Sequence, residues 1–204
     1  FDRTVDHTRD FINQKFGKKP EIAKANVKVL ESGFNYAANV HALAVHFNVA
    51  PAHIEKGRYR TITGNKATAW GFLAAAEKAN LPLFCGSYPI TPATDILQEL
   101  ALRRDLGVKT YQAEDEIAGI CTSIGASYVG NLAITTTSGP GLALKSEAAG
   151  LAVMAELPLV IVDVQRGGPS TGLPTKTEQS DLLQALYGRN GESPMPVVAA
   201  STPG

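Results

Sequence analysis

The sequence predicts an α/β protein: a mostly parallel sheet with flanking helices, preceded by a short helical segment. Three observations carry this. From Gly64 onward, short apolar runs rich in β-branched residues alternate with helical runs across short connections, the pattern of βα repeats around a parallel sheet. The run 157–164, LPLVIVDV, is nearly continuously apolar, as expected of a strand covered on both faces. Residues 1–38, in contrast, show only helical periodicity.

In chain order, Phe1, Val5, Thr8, Phe11, Ile12 and Phe16 recur at helical spacing until GKKP at 17–20 breaks the pattern. The pattern resumes over 21–38 with Ile22, Val27, Val29, Leu30 and Phe34. Two helices bury little by themselves, so this segment is expected to belong to something larger. Residues 39 to about 63 carry Pro51 and the charged run EKGRYR; they read as a linker with room for one short strand. The repeats then predict helix 65–79, strand 81–87, helix 93–105, strand 108–113, helix 115–129, strand 132–138, helix 141–156, strand 157–165 and helix 177–188. Ligands of such sheets bind beyond the carboxyl ends of the strands. That gathers SYPITP (87–92), QAEDE (112–116), TSGPG (137–141) and QRGGPSTG (165–172) at one edge.

Composition narrows the function. The 204 residues suffice for one ordinary domain plus a smaller unit, and 44% hydrophobic with 19% charged residues suits a protein with a real core. Basic and acidic residues balance at 19 each, which argues against a nucleic-acid partner. No apolar run approaches the roughly 18 residues of a membrane span, and FDRTVDHTRDF at the start has no signal-peptide apolar region. Cys85 and Cys121 are too few for an iron–sulfur cluster or a cysteine zinc site. Both sit among apolar neighbours and are expected to be buried free thiols, which suits a reducing cytoplasm. The four histidines, His7, His41, His46 and His53, all precede the repeats. Proton chemistry there would fall to carboxylates, lysines or a cofactor.

Each of the four loops has a functional and an ordinary reading. The glycines of TSGPG let backbone N–H groups approach an anion at a helix start, or simply make a tight turn; the loop matches neither a Walker loop nor GxGxxG. Glu114, Asp115 and Glu116 offset a helix dipole, worth about 0.3–1 kcal/mol each, or include a functional carboxylate. Arg166 follows what reads as the most buried strand, as a fork for a carboxylate or phosphate or as a surface salt bridge, and the Gly/Pro/Ser/Thr stretch behind it reads equally as a surface loop. In SYPITP the prolines fix φ and push Tyr88 and Thr91 toward extended geometry. Thr91 then presents its hydroxyl in a fixed direction, or caps the next helix with Pro92 in first position; the two are compatible.

Taken together, YPITPATD (88–95), EDEIAGICTSIGASYVG (114–130), TTTSGPG (135–141) and VQRGGPSTGLPTKTEQSDL (164–182) resemble the alpha subunit of 2-oxoacid:ferredoxin oxidoreductases, in particular the 2-oxoglutarate type with gamma fused ahead of alpha. These enzymes use thiamine diphosphate. The resemblance covers residues 64–204, with the motifs in family order. It implies that 1–60 is the tail of a gamma-type domain plus linker, that 61–204 is the cofactor's pyrimidine-binding domain within an incomplete alpha subunit, and that the chain is a fragment. Glu116 matches the glutamate that activates the cofactor, nine residues before the helix glycine Gly125; Glu114 is the alternate. A carboxyl on N1′ of the aminopyrimidine lets the 4′ nitrogen take the C2 proton of the thiazolium, so no histidine is needed. Such a glutamate works best protonated, and burial should raise its pKa.

The same resemblance matches Thr91 to a threonine facing the substrate's carboxylate or carbonyl and Arg166 to an arginine binding a carboxylate. Pro89, Ile90 and Ser138 are further cofactor contacts, and no metal ligand is assigned to this chain. A beta subunit would carry the magnesium–diphosphate site and the iron–sulfur cluster; ferredoxin would take the electrons and coenzyme A the acyl group. Alternatives are a pyruvate or branched-chain 2-oxoacid enzyme, a phosphate- or nucleotide-binding regulatory module, and a pure assembly subunit.

Overall fold

A computed structural model describes residues 3–41, 45 and 47–204. Phe1 of the first helical pattern, His46, and residues 42–44 of the expected linker lie outside the described residues. The chain divides into two compact units, Phe1–Tyr59 and Arg60–Gly204.

The first unit is a helix pair, α1 (Asp6–Lys15) and α2 (Pro20–Asn39). Pro20 opens α2 where no N–H is needed. Asp6 and Lys15 complement the dipole of α1. The Arg9 Nε donates to Glu31 across the pair at 3.0 Å. Only Ala23 is buried among the described residues of these helices, while Phe11, Phe34 and Tyr36 stay exposed. The expected short strand is not found among the described residues of 40–63; Pro51 removes a ladder donor there.

The second unit alternates helix and strand. It comprises α3 (Gly64–Ala79), β1 (Leu83–Ser87), α4 (Thr94–Ala101), a short turn of 3-10 helix (Arg104–Leu106), β2 (Lys109–Gln112), α5 (Glu116–Tyr128), β3 (Leu132–Thr137), α6 (Gly139–Met154), β4 (Val160–Asp163) and α7 (Leu182–Tyr187). Helix starts follow local chemistry. Thr63 Oγ1 accepts from the Lys66 N–H at 3.3 Å and caps α3. Pro140 lies in the first turn of α6, which lets that helix begin two residues before the expected position.

The sheet order is β2-β1-β3-β4. Every pairing is parallel: Cys85 faces Thr110 on one side and Ile134 on the other, and Ile134 faces Val160. All four carboxyl ends therefore lie at one edge. Ala69 and Ala76 of α3 and Ile96, Leu97 and Leu100 of α4 pack with Leu83, Cys85, Ile134 and Val162. A second cluster joins Ile120 of α5 and Ala148 and Ala149 of α6 to Leu159 and Ile161. Ile161 and Val162 are successive residues of one strand and so belong to opposite faces. The two helical layers thus cover the two sides of the sheet.

Three expectations are corrected. The strand before Arg166 is not the most buried: β4 is an edge strand with Val160 38% exposed, whereas residues 133–137 of the inner strand β3 are all buried. Cys85 is buried but Cys121 is exposed, because it falls on the outward side of α5. The last helix spans only Leu182–Tyr187 rather than 177–188.

Candidate active site

The carboxyl edge is held by hydroxyl groups. Thr135, Thr136, Thr137 and Ser138 are all fully buried. Ser87 Oγ donates to the Thr136 carbonyl at 3.1 Å and pairs with Thr136 Oγ1 at 2.6 Å. Tyr88, only 4% exposed, has its Oη 2.9 Å from Thr137 Oγ1. Lys145 of α6 reaches the same edge, donating from Nζ to the Glu116 carbonyl at 2.8 Å and to Thr135 Oγ1 at 3.1 Å.

The acidic triplet divides by role. Asp115 is the N-cap of α5, accepting the Ala118 N–H at 2.8 Å. Glu114 is exposed ahead of the helix. Glu116 opens the helix, half-buried. A Cβ placed on Gly141 would stand 3.0 Å from Glu116 Cγ and would overlap Tyr88 Oη and Thr137 Oγ1. Glu116, Tyr88 and Thr137 therefore close around a position that only glycine leaves open. Burial is the first reason the Tyr88 hydroxyl is held well above the ordinary tyrosine range. The neighbouring Glu116 carboxyl adds to this, while the Thr137 bond and the Arg166 charge act the other way.

Arg166 is no surface salt bridge. It is buried; its Nη1 donates to the Thr91 carbonyl at 2.7 Å and its Nη2 to the Thr171 carbonyl at 2.6 Å. The guanidinium thus stitches the YPITP loop to the GGPSTG loop. Its Nε has no hydrogen-bond partner among the described residues. The Thr91 side chain is exposed and does not cap α4, whose N-cap is Ala93. Thr94 explains the shift: its Oγ1 accepts the Ile90 N–H at 2.8 Å and donates to the Ile90 carbonyl at 2.9 Å, closing a turn that carries Pro92 outside the helix. The Thr91–Pro92 and Gly168–Pro169 peptides are cis. Pro89 is exposed and Ile90 half-buried on the same loop.

Ser138 sits before α6 with its Oγ buried and unpartnered among the described residues. Beside it, a Cβ on Gly139 would lie 3.0 Å from Asp181 Oδ2. The Asp181 carboxylate accepts from Gln165 Nε2. Burial, with the hydrogen bond and charge of Asp181 added, pushes the Asp163 carboxyl up to about 8.

The expected site residues thus form two groups. Glu116 meets the first turn of α6, and Thr91 meets Arg166; Tyr88 feels the charges of both Glu116 and Arg166. Sequence reasoning missed Tyr88, Thr137 and Lys145 as members. The usable signals were a run of four hydroxyl residues ending an inner strand and a lysine amid the alanines and leucines of α6. A cavity of about 380 Å³ lined by Ala152, Leu157, Pro194 and Pro196 lies at the other end of α6 and takes no part in this site.

The sequence matches the family described as pyruvate flavodoxin/ferredoxin oxidoreductase, thiamine diphosphate-binding, over residues 75–203. The chain belongs to this family. It is 57% identical over 203 residues to the 2-oxoglutarate oxidoreductase subunit KorA of Mycobacterium tuberculosis, covering 100% of this chain and 31% of the relative. It is 50% identical over 133 residues to the 2-oxoglutarate synthase subunit KorA of Methanothermobacter thermautotrophicus, covering 64% of this chain and 34% of the relative. Among solved structures, it is similar to the 2-oxoglutarate:ferredoxin oxidoreductase of Magnetococcus marinus, determined with 2-oxoglutarate, coenzyme A and succinyl-CoA bound. That match has TM-score 0.67 and 41% identity, over 95% of this chain and 33% of the other. The chain thus spans about a third of the length of these relatives.

Proposed function

We propose that residues 61–204 are the pyrimidine-binding domain of a thiamine diphosphate-dependent 2-oxoglutarate:ferredoxin oxidoreductase. Its reaction is the oxidative decarboxylation of 2-oxoglutarate to succinyl-CoA. The observation that carries this reading is the Glu116 carboxyl, set at the carboxyl edge of the sheet against Tyr88, Thr137 and the open face of Gly141. The donor set fits the cofactor: one half-buried carboxyl for a ring nitrogen, and beyond it the orphaned hydroxyl of Ser138. When bound, thiamine diphosphate supplies the carbon nucleophile that adds to the 2-oxoacid.

The chain's own residues do the rest. Glu116 turns its carboxyl toward the aminopyrimidine; Asp115 caps the helix and leaves Glu116 free for that task, which favours Glu116 over Glu114. Thr91 turns its hydroxyl to the substrate. Arg166 fixes the Thr91 backbone and offers its Nε to a carboxylate. Pro89, Ile90 and Ser138 flank the cofactor. The relatives' names support 2-oxoglutarate, ferredoxin and coenzyme A as reactants.

A beta subunit is the proposed partner, carrying magnesium and the iron–sulfur cluster. Ile117, Leu144 and Met154, exposed on the outward sides of α5 and α6, support a subunit contact there. Residues 1–60 are proposed as the tail of a gamma-type domain, in keeping with a helix pair that buries only Ala23. No helix among the described residues is long and apolar enough to cross a membrane, and the proposed setting is the cytoplasm.

The test is anaerobic purification of the full-length protein with whatever accompanies it, followed by mass spectrometry, a visible spectrum and dye reduction with 2-oxoglutarate and coenzyme A. The expected result is bound thiamine diphosphate, iron–sulfur absorbance and turnover that falls roughly 100-fold or more in Glu116→Gln. A colourless homomer without thiamine diphosphate overturns the reading.

A further inference from the structure

We propose that Lys145 is the positioning residue for Glu116, a buried ammonium that fixes the first residue of α5 from beneath the site; the inference rests on the role of Glu116 proposed above. Lys145 is fully buried. Its Nζ touches the Glu116 carbonyl and Thr135 Oγ1 and stands 5.0 Å from the centroid of the Tyr88 ring. Its contacts thus converge on the Glu116 pocket: Glu116 itself, the Tyr88 ring, whose hydroxyl closes with Glu116 around Gly141, and the strand whose next hydroxyls hold Ser87 and Tyr88. The path is open because Gly119 carries no side chain; a Cβ there would sit 3.4 Å from Nζ.

The energetics argue against a mere packing role. No ion pair to a carboxylate is found for Lys145 among the described residues. A buried ammonium held only by a carbonyl, a hydroxyl and an aromatic face is costly to desolvate, and an apolar residue of similar length is often as stable or more so. Burial lowers the Lys145 pKa to about 8, with the charges of Glu116 and Asp115 resisting, and Cys121 and Cys85 acting more weakly in the same sense. Stability alone does not call for a lysine at this place. Holding the Glu116 backbone does, because a displacement of about 1 Å in a reacting group can cost roughly 100-fold in rate.

The experiment uses the full-length complex and compares Lys145→Met, Thr135→Val and Glu116→Gln with the natural protein. Three quantities are read: the rate of C2 deuterium exchange on added thiamine diphosphate, the affinity of the apo-complex for that cofactor, and the melting temperature. Lys145→Met is expected to slow exchange by about 10–100-fold and to weaken cofactor binding, with the melting temperature unchanged or raised. Thr135→Val, which removes one anchor of the ammonium, should act in the same direction but more weakly. Wild-type exchange and affinity in Lys145→Met, with Glu116→Gln impaired, overturn the inference and spare the reading of Glu116. Wild-type exchange in Glu116→Gln overturns that reading itself. Should Lys145→Met fail to assemble, Thr135→Val decides: slowed exchange at an unchanged melting temperature supports the positioning role, and unchanged exchange overturns it.

Discussion

The two faces of the sheet are built from different materials. On one, α3 and α4 press Ile96, Leu97, Leu100 and Phe72 against Leu83, Cys85, Ile134 and Val162, a continuous aliphatic layer. On the other, the buried apolar cluster of α5 and α6 is small, Ile120 with Ala148 and Ala149, and beside it lie the polar residues Lys145, Ser123 and Thr135. Contact there is so close that a Cβ on Gly86 would stand 2.6 Å from Ser123 Oγ and 2.8 Å from the Gly119 carbonyl. Ser123 Oγ also donates to the Ile134 carbonyl at 2.9 Å, pinning α5 to the strands. The aliphatic face supplies area removed from water, the main favourable term in folding. The polar face spends packing on placing Glu116.

The contrast predicts separable effects, the largest on the aliphatic side. Leu100→Ala removes a fully buried side chain and should destabilise the second unit by about 2–5 kcal/mol. Ile120→Val across the sheet should cost only about 0.5–1.5 kcal/mol. Urea denaturation of both variants checks the two magnitudes.

Next in size is an effect on activity rather than stability. Gly141→Ala puts a methyl group where Tyr88, Thr137 and Glu116 converge. The Tyr88 and Thr137 hydroxyls would overlap the added carbon and must both shift, and Glu116 Cγ lies only 3.0 Å from it; a misplaced Glu116 should lower kcat roughly 10–100-fold. The urea midpoint should shift far less than in Leu100→Ala. A variant with full kcat would mean that the tightness around Gly141 has nothing to do with catalysis.

How much of this was legible in the sequence follows from the range of the interactions. The repeats, the parallel sheet and the gathering of four loops at one edge are written in local periodicity, and the structure has them. The apolar run along 157–165 was legible as a strand but not as an edge strand, because strand order depends on pairings of β3 with β1 and β4 that periodicity does not encode. Thr91 looked like a cap because proline follows it; the competing turn through Thr94 uses equally good local chemistry and prevails. Lys145 stood out as a residue type, but neither it nor Tyr88 could be placed in the site from the sequence, for a plainer reason. Their partners lie 29 and 49 residues away, respectively, brought near only when β3 inserts beside β1.

A pH-dependent effect tests whether the polar side of the edge is also the pH-sensitive one. Asp163, at the end of β4, is pushed from its ordinary 3.8 to about 8 by burial and by Asp181. The unfolded chain releases this proton from about pH 4 upward, while the folded chain keeps it until about pH 8. Its contribution is therefore complete below about pH 4, declines as pH rises to about 8, and is flat beyond. Asp163→Asn keeps a donor toward Asp181 and has no proton to lose. Its melting temperature should rise relative to the natural protein across that window and then run parallel to it. The comparison requires only thermal melts of the two proteins at several pH values. A constant difference from pH 5 to 8 would mean that the two carboxylates do not share a proton, and that the polar edge is held by its hydroxyl groups alone.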